Sequence, residues 1–566
     1  MSFFDSRPWL SSYPEGVPSD IPAPTQTLTD MLEASVKRYR RKVALDFFGR
    51  TRTYRELGRE VSRVAAGLQK LGVGHGDRVA LVLPNCPQHV IAFYAVLRLG
   101  AIVVEHNPLY TQRELRHQFE DHGASVAMVW DKVVPAVLDF PADLGVTKVV
   151  SVDITLGMPW IKRLALRLPL AKARTARGAL TSGELARGAM AWRDLAKSRP
   201  LTRTLPKPAL DDIAVLQYTS GTTGSPKGAI LTHRNLRANA AQGQAWVPGL
   251  ILGREVVYAV LPMFHAYGLT LCMTFAMSIG ARLVLFPKFT PGLVLTAMRS
   301  APATFLPAVP PIYERLAEAA AEKKVSLRGI RFSISGAMSL PVETVRVWEE
   351  ATGGLLIEGY GMTETSPVAV GNPMGPTRRP GAVGVPFPST EIRVIDPEDS
   401  DHDRGPGEEG ELLLRGPQVF GGYWNRPAET RETLLPGGWL RTGDIVRVDE
   451  SGFVTIVDRL KELVIVGGFN VAPSEVEVTL VSHPSVVDAA VVGLPTGSGG
   501  ESVAAAVVLA PGATLDVSGL RTHMRSRLAG YKVPQRIVAV DDLPRSLIGK
   551  VLRREVRTAL LARPGD

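Results

Sequence analysis

The chain is 566 residues long and 45% apolar, enough for several hydrophobic cores and too much for one ordinary domain, so at least two domains are expected. Its two cysteines, Cys86 and Cys272, stand in unrelated contexts, which excludes a disulfide framework or a CxxC metal site and suits a reducing cytoplasm. The net charge of +10 invites a nucleic-acid reading, but twelve Lys or Arg against two acids between residues 161 and 208 carry the whole excess, and no nucleic-acid motif accompanies them.

In chain order, the N-terminal MSFFDSRPWLSSYPEG has one basic residue, an early acid and no long apolar run, so it does not read as a secretory signal. From Leu57 the apolar residues Val61, Val64, Leu68 and Leu71 recur at helical spacing, and Gly72 ends the run. Residues 78–83 read as a short strand stopped by Pro84, residues 90–99 as a helix closed by Gly100, and residues 101–104 as β-rich again. The alternation resumes at 126–130 and 149–152 and predicts an α/β domain with largely buried strands. The basic insertion at 161–208 follows, in which Trp160, Ile161, Leu164, Leu166, Leu168 and Leu170 interleave with the charges. It is expected as a solvated, partly flexible face or as a docking patch for anionic lipid.

Residues 256–281 carry no charge and are long enough to span a bilayer, but Pro262, His265 and Gly268 interrupt the first half. The remainder reads as a buried helix. From about residue 461 to 566, β-branched runs at 486–492, 503–509 and 536–540 alternate with helical stretches, which predicts a compact α+β domain. The expected boundaries are a domain over 1–457, a hinge at 458–462 and a second domain over 463–566.

The most informative stretch is residues 218–228, YTSGTTGSPKG, with five Ser or Thr, three glycines and one lysine in eleven residues. Glycines let backbone N–H groups approach a polyphosphate, hydroxyls donate to it, and Lys227 supplies charge. The apolar residues 213–216 lead directly into the loop, as a strand would. It is not a Walker A loop, because no Ser or Thr follows the lysine.

This loop resembles the phosphate-binding signature of the adenylate-forming superfamily of acyl-CoA synthetases, luciferases and peptide-synthetase adenylation domains. PMFHAYG at 262–268, YGMTETSP at 360–367, GWLRTGD at 438–444, DRLK at 458–461 and GK at 549–550 follow in the family's order. The resemblance covers about residues 30 to 560. It implies an α/β fold: a large N-terminal α/β domain with multiple sheets, and a small mobile α+β C-terminal domain.

It also implies roles. Thr219, Ser220, Gly221, Thr222, Thr223, Gly224 and Lys227 would hold ATP phosphates, with Gly336, Glu358, Gly359, Tyr360, Gly361, Asp444, Ile456 and Arg459 completing the ATP/AMP site. Tyr360 would stack on adenine, and Asp444 would accept from the ribose hydroxyls with Arg459 beside it. Thr363 would contact the α-phosphate and Glu364 would ligate Mg²⁺. Lys550 is the leading catalytic candidate, because adenylation brings a carboxylate against a phosphate and an ammonium neutralises both. The residues before Gly549, Leu547 and Ile548, depart from the small polar residues usual there. Gly467, Gly468 and Phe469 would shape the coenzyme A path, His265 would stand where that path meets the acyl path, and Lys461 would be the hinge.

Similarity to bacterial long-chain fatty-acid CoA ligases is strongest at NPLY 107–110, Ser366-Pro367, Asn372-Pro373 and PFPST 386–390. No Asp or Glu occurs from 256 to 299 to pair with an amino-acid ammonium, and residues 269–279 are apolar and Met-rich, as a hydrocarbon path requires. The expected function is therefore an ATP-dependent long-chain fatty-acid CoA ligase using ATP, Mg²⁺ and coenzyme A. Medium-chain or aryl acids, an acyl-AMP ligase loading a carrier protein, a luciferase-type oxygenase and a basic membrane- or nucleic-acid-binding protein without catalysis remain open. Fatty acid, ATP and CoA are the expected small-molecule partners. Peripheral contact with the inner face of the membrane through the basic insertion and pairing into a homodimer are the macromolecular associations carried forward, with no nucleic acid, in the cytoplasm.

Overall fold

The computed structural model describes residues 3–201, 205–219, 226–466, 469–496, 501–546 and 549–563, with the side chains of Lys461, Phe469 and Asn470 outside that description. The chain divides into two compact units, a larger one of Leu10–Glu391 with Arg415–Leu440 and a smaller one of Met1–Trp9, Ile392–Leu414 and Arg441–Asp566.

The larger unit holds two sheets. In the seven-stranded one, Met190–Ala191, Lys148–Val152, Val126–Trp130, Arg78–Val82, Ile102–His106 and Ile213–Thr219 lie parallel in that order, and Lys227–Thr232 closes it antiparallel. Strands Ile102–His106 and Val126–Trp130 are buried throughout, as near-continuous apolar runs in a parallel sheet must be. The helix expected after residue 57 begins earlier, at Tyr54, because Thr53 and Glu56 form a capping box. Its Leu57, Val61, Val64 and Leu68 face the core. The next helix is Pro87–Arg98 rather than 90–99, since proline preorganises the first turn, and all its residues are buried.

The nine-stranded sheet has a parallel centre, Phe305–Ala308, Phe332–Ser335 and Leu355–Gly361 among its strands, with antiparallel pairs at both edges. The uncharged stretch at 256–281 is buried here as strand Val256–Ala259, a π-helix Gly268–Thr274 and helix Phe275–Ser278. Among the described residues no helix is long and apolar enough to cross a membrane.

In the smaller unit, Val486–Pro495 and Glu501–Leu509 pair antiparallel, and Arg536–Ala539 joins parallel to the second. Side chains alternate across this sheet with period two. Ala489, Val491, Val503 and Ala505 face helices Pro473–Val481 and Val517–Arg525, while Ala490, Val492, Ala504 and Ala506 face helix Arg553–Ala562. The α/β class with several sheets and a small C-terminal α+β body is therefore the observed fold.

Candidate active site

In the larger unit the candidate residues gather at the carboxyl ends of parallel strands, where open α/β sheets place their ligand crevices. Strand Ile213–Thr219 pairs with Lys227–Thr232 so that Thr219 faces Lys227 across the loop, and residues 220–225 between them lie outside the described residues. Lys227 Nζ stands 5.1 Å from the centre of the Tyr423 ring. The Tyr423 hydroxyl in turn donates to Glu364 Oε1 at 2.6 Å. Burial and then the Glu364 charge push the Tyr423 phenol far up, so it stays a donor. Glu364 is 5% exposed, in a short turn Thr363–Thr365 that directly follows the strand carrying Tyr360. Gly361 is required there, because a Cβ would come within 1.8 Å of the Pro367 carbonyl oxygen.

The His265 segment is pinned against this turn. Asn85 donates to the carbonyls of Ala259 and Leu261 at 2.9 and 2.7 Å and accepts from the Met263 N–H at 2.8 Å. Gln217, on strand Ile213–Thr219, donates to the Phe264 carbonyl at 2.7 Å. Thr270 Oγ1 donates to the Ser366 carbonyl at 2.6 Å. At Gly268 a Cβ would meet the Pro262 carbonyl oxygen at 2.1 Å, so the chain turns into the π-helix there only as glycine. His265 keeps part of its surface open, yet dense packing pushes its imidazole down to about 4, so it is neutral near pH 7. Its Nδ1 accepts from the Tyr267 N–H at 3.3 Å, which leaves the ring proton on Nε2. The Tyr267 ring lies beside Gly336, and its hydroxyl donates to the Ile334 carbonyl at 2.7 Å. Glu358, paired with Ser335 in the sheet, is buried, and its carboxyl is pushed up to about 8 by that burial.

The smaller unit carries a different set. Asp444 and Arg459 are cross-strand partners, and Arg459 Nε meets Asp444 Oδ1 at 3.0 Å with the carboxylate 3% exposed. Lys550 is half-buried: its N–H donates to Ser546 Oγ at 3.1 Å and its carbonyl accepts from the Ser546 N–H at 2.7 Å. Desolvation and then the Arg459 charge lower its ammonium pKa, against the attraction of Glu462 and Asp444. Arg553 gathers three carboxylates, Glu477 at 2.6 Å, Asp458 at 3.7 Å and Glu462 in closer contact. Asp458 and Glu462 flank Lys461, which sits in the turn Leu460–Glu462. Ile456 is partly exposed on strand Val454–Arg459, and Phe469 opens strand Phe469–Val471, while Gly467 and Gly468 lie outside the described residues.

Compared with known families, residues 32–424 match the AMP-binding enzyme model and residues 475–550 the AMP-binding enzyme C-terminal domain. The chain belongs to the AMP-binding enzyme family. A long-chain-fatty-acid–CoA ligase of Bacillus subtilis (strain 168) is 38% identical over 553 residues, 97% of each chain. The ATP-bound structure of MatB from Rhodopseudomonas palustris superposes with a TM-score of 0.81 at 30% identity, covering 95% of this chain and 99% of that one. The anthranilate CoA ligase AuaEII in complex with anthranoyl-AMP gives 0.81 at 28% identity, covering 96% and 98%.

Set against this AMP-binding enzyme, the sequence motifs of the larger unit fall together: Thr219, Lys227, Gly336, Glu358 to Gly361, Thr363 and Glu364, with His265 adjoining. Asp444, Arg459 and Lys550 form a second group in the smaller unit. Sequence reasoning missed Tyr423, Asn85 and Arg553. For Tyr423 a signal existed, the Gly421-Gly422 pair ahead of an aromatic run Tyr423-Trp424. Asn85 carried none beyond its place after a strand-ending proline.

Proposed function

We propose that the chain is an ATP-dependent long-chain fatty-acid CoA ligase that forms an acyl-adenylate and pyrophosphate, then transfers the acyl group to coenzyme A and releases AMP. The observation that carries this is the buried Glu364 carboxylate, held by Tyr423 beside Lys227 at the root of the phosphate loop. Such a pair fits a metal–polyphosphate substrate: Mg²⁺ takes one or two protein carboxylates and fills the remainder with phosphate oxygens and water. Among the described residues no cluster of three or more His, Cys, Asp or Glu is arranged as an all-protein cage, which agrees with that mode. Glu364 would hold the ion, which when bound supplies charge neutralisation of the triphosphate.

Within that scheme Lys227 and the loop hydroxyls Ser220, Thr222 and Thr223 bind the leaving pyrophosphate, with Gly221 and Gly224 admitting it close to the backbone. Tyr360 stacks on adenine, Thr363 contacts the α-phosphate, and Asp444 with Arg459 receives the ribose. Lys550 neutralises the carboxylate and the α-phosphate as the acyl–phosphate bond forms. A neutral His265 donating through Nε2 orients the acyl carbonyl without adding charge beside the thiol's approach along Gly467, Gly468 and Phe469. The apolar helix Gly268–Thr274, buried among hydrocarbon side chains, supports an aliphatic substrate. The proposed domains are 1–457 and 463–566, with a hinge at Lys461 allowing the second domain to serve both half-reactions. A cytoplasmic enzyme, paired as a homodimer and in peripheral contact with the membrane through residues 161–208, completes the proposal.

Pyrophosphate and AMP release over acids from acetate to oleate, with and without CoA, tests it. Maximal turnover is expected with long-chain acids, and AMP release without oleate dependence rejects the substrate class. The aryl alternative, supported by the likeness to the anthranilate ligase, predicts a maximum with aromatic acids instead. Light scattering tests the dimer.

A further inference from the structure

Residues 160–180 contradict the pattern of the rest of the chain. Helices Trp160–Ala165 and Ala171–Leu180 contain no buried residue. The segment nonetheless presents Trp160, Ile161, Leu164, Leu168 and Leu170 at 71%, 62%, 57%, 49% and 59% exposure. Contiguous apolar side chains on a soluble surface mark a contact surface more often than a solvated face. Three cations, Lys162, Arg163 and Arg167, stand between them, three more, Lys172, Arg174 and Arg177, follow, and residues 160–180 contain no acid. Ion pairing resumes only beyond the segment, with Lys197–Asp194 and Lys207–Asp30.

The segment is held in this exposed state from both ends. Lys162 Nζ donates to the Phe48 carbonyl at 2.8 Å, and Arg50 donates to the Leu156 carbonyl at 2.9 Å. At the far end Trp130 Nε1 donates to the Leu180 carbonyl at 2.9 Å and Lys132 Nζ to the Gly178 carbonyl at 2.6 Å. At about 100° per residue, Trp160, Ile161 and Leu164 share one arc of their helix, and Lys162 points to the opposite side, where it is tethered. The apolar arc is thereby turned away from the body of the unit.

Charge and apolarity together select the occupant. A polyanion such as nucleic acid would satisfy the cations but offer nothing to tryptophan and leucine, and an apolar protein groove would leave six positive charges uncompensated. A bilayer bearing anionic headgroups over hydrocarbon satisfies both. We propose that residues 160–180 are an in-plane anchor for anionic phospholipid membranes. Trp160, Ile161, Leu164, Leu168 and Leu170 enter the boundary between headgroups and acyl chains, while Lys172, Arg174 and Arg177 engage the headgroup phosphates. This names the residues and lipid class of the peripheral contact above, and it stands independently of which acid the enzyme activates.

Flotation of the full chain with vesicles of phosphatidylcholine, alone or mixed with phosphatidylglycerol, tests the anchor. The wild type is expected to float with mixed vesicles at ~0.15 M salt and to be released as salt rises. The triple variant Trp160→Ser, Ile161→Ser, Leu164→Ser and the triple variant Lys172→Glu, Arg174→Glu, Arg177→Glu are each expected to lose binding by about tenfold or more. Both should keep the wild-type melting temperature and vesicle-free pyrophosphate release. A wild type that stays at the bottom of the gradient overturns the proposal. So does an apolar-to-serine variant that floats as well as the wild type, which would reduce the segment to a basic face for any polyanion. Flotation by a protein that makes no AMP with any acid would leave the anchor standing and remove the ligase.

Discussion

In the larger unit the candidate site is built from two groups that burial holds neutral and one carboxylate fixed by a hydrogen bond: His265 is pushed down to about 4, the Tyr423 phenol is pushed up, and Glu364 accepts from that phenol. The smaller unit concentrates charge instead, with Lys550, Arg459 and Arg553 set among Asp444, Asp458, Glu462 and Glu477. The contrast separates two tasks. A preformed neutral frame costs little to keep dry and fixes reactants in place. A dense ionic cluster sets carboxylates around buried cations, and their attraction opposes the cost of burial.

The largest expected effect comes from removing Lys550, the half-buried cation whose backbone is held by Ser546. Lys550→Ala should lower adenylation, read as pyrophosphate release, by about 10²–10³-fold, while thioester formation from supplied acyl-adenylate stays near wild type. Pyrophosphate release at the wild-type rate would remove Lys550 from the mechanism. Next, Arg553→Ala leaves three part-buried carboxylates facing one another. We expect a loss on the order of 3 kcal/mol in the smaller unit, seen as a lowered thermal transition. An unchanged transition would mean that the cluster is solvated in solution and does not brace the turn around Lys461.

In the larger unit the frame should tolerate more. Glu364→Gln should lower adenylation about 100-fold and raise the Mg²⁺ concentration needed for half-maximal rate. Tyr423→Phe, which removes only the 2.6 Å hydrogen bond, should cost about tenfold or less in the same assay. If Tyr423→Phe is the more damaging of the two, the phenol rather than the carboxylate faces the phosphates and the assignment is reversed.

Much of this frame was legible in the sequence, for a physical reason. The strand at 213–216, the buried strands near 101–104 and 126–130 and the β-branched runs at 486–492, 503–509 and 536–540 are local patterns of apolar spacing. What was not legible depends on contacts far apart in the chain. Tyr423 reaches Glu364 across 59 residues and Asn85 reaches Met263 across 178, and no spacing rule connects them. Charge pattern guided exposure better than apolar content alone. The uncharged 256–281 stretch is folded into the core, whereas leucines diluted by arginines at 160–180 stand in solvent. The local sequence states composition, and only the packing of neighbouring elements decides which face is covered.

The last effect tests neutrality itself. Glu358 is 9% exposed, and burial pushes its carboxyl up to about 8 from an ordinary 4.5, opposed only by the Leu340 N–H. A folded-state pKa above the unfolded one means that the folded chain holds its proton longer. The stability Glu358 contributes is therefore complete below pH 4.5 and is lost progressively as pH rises to about 8, where the folded carboxyl itself ionises. Glu358→Gln keeps the shape and has no proton to lose. Its melting temperature should fall less than that of the wild type between pH 5 and pH 8, a relative gain of up to about 3 kcal/mol. Parallel profiles for the two proteins would show that Glu358 is already ionised at pH 5 in the folded state. The larger unit would then hold a buried anion on the strand that carries Tyr360, and its contrast with the ionic smaller unit would be one of degree.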